Sequence, residues 1–94
     1  MRRLEKRIFT LNDEIAAMRR DERLAAEELI FHQHLHDDAF RDAVASDHPM
    51  DRADARETGA DVARFERHLE ELARQRAKLE AERDRLLARL DRQL

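Results

Sequence analysis

Val44-Ala45-Ser46-Asp47-His48-Pro49-Met50-Asp51 is the stretch that decides the fold, because it holds the strongest break in the chain. The ring of Pro49 disfavours helical backbone at His48, and proline suits the first position of a new helix. Ser46, Asp47 and Asp51 each offer a side-chain oxygen to cap that helix. The break divides the 94 residues into two nearly equal halves. A second, weaker interruption lies at Thr58-Gly59, since glycine inside a helix costs about 1 kcal/mol. The second helix either passes through Gly59 or begins in earnest at Asp61.

Working outward from the break, each half carries one apolar stripe with spacings that alternate four and three. In the first half it runs Leu4, Ile8, Leu11, Ile15, Met18, Glu22, Ala25, Leu29, His32, His36, Ala39, Ala43. In the second it runs Ala55, Thr58, Val62, Phe65, Leu69, Leu72, Arg76, Leu79, Arg83, Leu86, Leu90, Gln93. That alternation keeps one narrow face aligned over many turns, as the seam of a coiled coil requires. The pattern predicts an all-α fold: an antiparallel two-helix coiled-coil hairpin occupying residues 1–94 as a single unit. Helix 1 is expected over about 3–45, the turn over about 46–50 and helix 2 over about 51–93.

Two registers satisfy the stripes, with opposed residue numbers summing to about 94 or about 101. The first opposes Ile8 to Leu86 and Leu29 to Phe65; the second opposes Leu11 to Leu90 and Leu29 to Leu72. Both place Arg76 one layer from Glu22, and a lone charge at a seam is costly, so these two are expected to form a seam ion pair.

Composition agrees with long helices. Charged residues make up 44% of the chain, the net charge is only −3, and there is one Gly and one Pro. Arginine greatly outnumbers lysine, the usage of a GC-rich bacterial genome. There is no cysteine, which excludes disulfides and thiolate metal sites and fits a cytoplasmic protein. No apolar run approaches the roughly 20 residues of a membrane span, and the first residues do not open a signal peptide. Net acidity argues against direct nucleic-acid binding, which rests on phosphate neutralisation. The charge is uneven: Asp37, Asp38, Asp42, Asp47, Asp51, Asp54, Glu57 and Asp61 outnumber Arg41, Arg52 and Arg56, whereas Arg2, Arg3, Lys6 and Arg7 face Glu5 alone.

Chemistry-bearing motifs are scarce. Ser46 is the only serine and lacks a nucleophile-elbow context, and Gly59 stands alone where a phosphate loop needs several glycines. A two-helix rod offers no enclosed pocket to perturb its carboxylates, so no enzyme activity and no cofactor are expected. His32 and His36 share a helix face with Glu28 one turn earlier, and His68 stands beside the facing stripe. This set is the candidate metal site, weighed against seam histidines that are merely tolerated. No metal is the expectation.

Large apolar residues off the seam are more informative. Leu24, Ile30, Phe31, Leu35, Phe40 and Val44 flank the stripe of helix 1 on both sides. A two-stranded coil does not need them, and exposed apolar clusters mark interfaces. They predict a protein partner, most simply a second copy that completes a four-helix bundle as a homodimer. Leu35 and Phe40, nearest the seam, are alternatively placed to tuck into its groove. The expected role is that of an adaptor or assembly factor.

At the turn, His48-Pro49-Met50-Asp51-Arg52-Ala53 resembles the coiled-coil tip of the DksA/TraR family of bacterial transcription regulators, whose tip typically reads Asp-Pro-x-Asp-Arg-Ala. The stretch from Thr58 to Arg67 also looks like the start of that family's second coiled-coil helix. The resemblance implies transcription regulation, with an acidic tip of Asp47, His48, Asp51, Arg52 and Ala53 presented to RNA polymerase. His48 stands where the family has its first tip aspartate, and the cysteines of the family's zinc domain are absent.

Overall fold

The computed structural model describes residues 2–94. They form two helices, α1 (Arg3–Ala45) and α2 (Pro49–Gln93), joined by Ser46, Asp47 and His48 into an antiparallel hairpin, with no strand among the described residues. No described helix is long and apolar enough to cross a membrane.

The turn is built from short-range hydrogen bonds. Ser46 N–H donates to the Asp42 carbonyl at 3.0 Å and extends the end of α1, while His48 N–H donates to Ser46 Oγ at 3.1 Å. Met50 N–H donates to His48 Nδ1 at 3.1 Å. The α2 cap is therefore a ring nitrogen of His48, and not an oxygen of Ser46, Asp47 or Asp51. It satisfies one of the amides left without an intrahelical partner at a helix start. α2 opens at Pro49, two positions before the expected start, where its missing N–H costs nothing. Asp51 in the first turn and Arg92 in the last complement the helix dipole.

Every stripe position except Gln93 is buried or partly buried, so the seam is the face the spacing selects. Packing divides the hairpin into two compact units. The terminal unit joins α1 before Arg23 to α2 after Glu70, and the turn unit is Arg23–Glu70. In the terminal unit Ile8, Leu11, Ile15 and Leu72 are buried, with Leu11 0% exposed. In the turn unit only Ala25 reaches that burial, and the seam there carries His32, His36, Thr58 and Phe65.

His36 decides the register within the turn unit. Its Nδ1 lies 2.9 Å from Thr58 Oγ1. That pair is directly opposed where residue numbers sum to about 94, but would stand about 10 Å apart along the axis in the register shifted by a heptad. Thr58 Oγ1 also reaches the Asp54 carbonyl at 3.0 Å. Oγ1 also lies 3.2 Å from the Ala55 carbonyl, and with its proton on either carbonyl it accepts from the Nδ1–H tautomer of His36. The terminal unit agrees, because Arg7 reaches Glu82 through two 3.1 Å bonds that the shifted register would place about 18 Å apart along the axis.

α2 runs through Gly59 without interruption. A Cβ built there would meet His36 Cε1 at 3.1 Å and Nε2 at 3.5 Å. The glycine is thus a seat for the imidazole, and its helix-propensity cost is accepted for a packing reason.

Candidate interaction surfaces

The off-seam apolar residues of the turn unit separate into two flanks of α1. Leu24, Phe31 and Leu35 follow one another at intervals of seven and four, which stacks them along one side. Phe40 and Val44, four apart, lie on the other side with Ile30. All six are exposed, from 41% at Leu35 to 72% at Val44. The groove beside the seam therefore does not absorb Leu35 or Phe40. Neighbouring rings brace two of them: Phe31 meets His32 edge-on at 5.5 Å between centroids, and Phe40 lies tilted 6.2 Å from His36. His32 in turn stacks on Phe65 at 4.4 Å. Aromatic anchors held on a helix, with their outer faces bare, are the usual core of an association surface.

His32 and His36 are packed by these contacts. His36 gives Nδ1 to Thr58 and lies over Gly59, and His32 lies flat on Phe65. Glu28 and His68 are exposed. Among the described residues no three His, Asp or Glu side chains converge as a metal would require. The four metal candidates share a region of the hairpin without forming a coordination shell.

At the turn, Asp47, His48, Arg52 and Ala53 are exposed and Asp51 is partly buried. Arg52 Nη1 donates to the Asp47 carbonyl at 2.9 Å, which draws the guanidinium back over the turn.

In the terminal unit Arg76 Nε donates to Glu22 Oε2 at 2.6 Å, so the two seam charges meet. The same guanidinium donates through Nη1 to Glu80 Oε1 at 2.8 Å, and Arg19 Nη2 donates to that oxygen at 3.1 Å. Hydrogen bonds to Glu22 first, and then to Glu80, hold the Arg76 guanidinium above its ordinary pKa. The Arg76 hydrogen bond likewise holds the Glu80 carboxyl below the usual carboxylate range. This four-membered network leaves neither Glu22 nor Arg76 unpaired at the seam.

No family model, curated protein or solved structure matches this chain.

Apolar surface in the terminal unit was not evident from the turn-proximal cluster. Phe9 and Leu87 are exposed beside Ile8 and Leu90, and with Glu5 and Asn12 they line a groove of about 350 Å³. The signal lay in the spacing: Phe9, Ile30 and Val44 are separated by multiples of seven and share one helical position. Met50 at the turn is also exposed, although it follows the helix-opening proline directly.

Proposed function

We propose that this chain is a non-enzymatic coiled-coil interaction protein, an adaptor or assembly factor of the cytoplasm. Two hairpins associate through the α1 flanks of their turn units into a four-helix bundle, and surface left uncovered binds a further protein. The observation that carries this reading is the exposure of Leu24, Phe31 and Leu35 on one flank and Ile30, Phe40 and Val44 on the other. Burying the remaining half of one such side chain is worth about 1 kcal/mol, so a flank supplies a useful fraction of a dimer's stability. Light scattering over a concentration series tests it. A dimer that Leu24→Ser with Phe31→Ser converts to monomer supports the reading, and a strict monomer at high concentration removes the homodimer.

A second reading follows the DksA/TraR resemblance, in which the turn is presented to RNA polymerase. Its support is the position of His48, which caps α2 where the family has aspartate, itself a strong capping residue. The backbone requirement of that position is met while its charge is not. Polymerase pulled down equally by the wild type and by Asp51→Asn with Ala53→Thr would speak against tip-dependent action.

A further inference from the structure

The terminal unit carries a second groove, independent of the apolar flanks. Leu4 and Leu86 line it together with Arg3, Arg7 and Arg89, around a volume of about 380 Å³. Arg7 is engaged with Glu82 and Glu14. For Arg3 and Arg89 no carboxylate lies within ion-pair distance among the described residues. Apolar surface rimmed by uncompensated positive charge fits an apolar side chain bracketed by carboxylates.

The turn of this chain presents such a group. Met50 is 64% exposed and stands between Asp47 and Asp54, with Asp51 beside it. None of these three carboxylates has a cationic partner within ion-pair distance among the described residues. We infer that the turn of one copy docks in the terminal-unit groove of another, Met50 against Leu4 and Leu86 and Asp47 and Asp54 toward Arg3 and Arg89. Donor and acceptor surfaces differ, so the contact is heterologous and adds copies in sequence unless the rotation closes a ring. Opposite charges on surfaces of one chain also make the association self-specific, since a like-charged docking is repelled.

Sedimentation velocity of the full chain tests this, in a Phe31→Ser, Phe40→Ser background that removes the flank contact. Failure of the flank dimer then stays separate from failure of the present contact. The weight-average mass should rise with concentration at low salt. It should fall between about 20 mM and about 500 mM salt as the charges are screened. Arg3→Glu with Arg89→Glu should weaken association about tenfold or more, and so should Asp47→Arg with Asp54→Arg. Each variant keeps one native surface: the native tip of the first fits the native groove of the second, and the altered groove of the first fits the altered tip of the second. An equimolar mixture should therefore associate where neither does alone. Met50→Ser should weaken association without changing its salt dependence. Circular dichroism of every variant should match the parent. Association that the tip variants leave intact, as with another occupant of the groove, would overturn the inference. So would a mixture that stays dispersed, or a parent that shows no association at low salt.

Discussion

Replacing Gly59 with alanine sets two effects of similar size against each other. Alanine within a helix is favoured over glycine by about 1 kcal/mol, and α2 is helical on both sides of the position. Against this, the new Cβ would lie 3.1 Å from His36 Cε1, a few tenths of an ångström closer than comfortable contact. The imidazole cannot withdraw freely, because Nδ1 is held by Thr58 Oγ1 at 2.9 Å, and losing that bond costs about 1 kcal/mol. Gly59→Ala alone should therefore leave stability nearly unchanged. In a His36→Ala background the obstruction is gone, and the same substitution should stabilise by about 1 kcal/mol, an increase of about 4–8 °C in Tm. Thermal and urea unfolding of the four proteins, followed by circular dichroism at one fixed chain concentration, gives the coupling, expected to be about 1 kcal/mol. Gly59→Ala stabilising by the full amount in both backgrounds would show that His36 does not sit over Gly59, and the register argument would lose one support.

Other consequences follow from the same contacts. Glu22→Leu leaves Arg76 partly buried beside an apolar seam, so the single variant should unfold at lower urea than Glu22→Leu with Arg76→Leu; the reverse order would refute the seam pair. His48→Ala should cost about 1 kcal/mol through the lost cap, and His48→Asp should recover most of it by supplying an oxygen to the same amides. Glu80 has a folded-state pKa held below its ordinary 4.5, chiefly by the hydrogen bond from Arg76. Its contribution is thus complete above the unfolded value and is lost as pH falls through the depressed one. Glu80→Gln should flatten the acid limb of a stability-against-pH profile, and an unchanged limb would count against the network.

Why some of this was legible in the sequence and some was not has physical reasons. The seam face was readable because a four-three alternation sustained through both halves cannot be satisfied by any other element. Pro49 marked the reversal because a proline ring constrains both itself and its neighbour. The register was not readable, since a shift of one heptad maps each stripe onto itself; the contact that separates the alternatives joins two polar seam residues, His36 and Thr58. The cap was misassigned because oxygen-bearing residues dominate that role, whereas the nitrogen of His48 fills it here. Gly59 reads as a weak point by propensity alone, and only the ring packed on it explains its place. The histidine pair has metal-like spacing along α1, yet coordination depends on what faces each ring, and what faces them is Thr58 and Phe65. The exposed flanks follow from apolar residues beyond a seam's needs, but Phe9 required the same heptad comparison carried into the terminal unit.

Intramolecular cross-linking tests the antiparallel register most directly, because the chain has no cysteine of its own. Opposition of Ala39 to Ala55 predicts that Ala39→Cys with Ala55→Cys oxidises rapidly to a disulfide within one chain. Ala39→Cys with Val62→Cys, offset by about 10 Å, should oxidise far more slowly. Faster closure of the Ala39–Val62 pair, or cross-links only between chains for both pairs, would contradict the account.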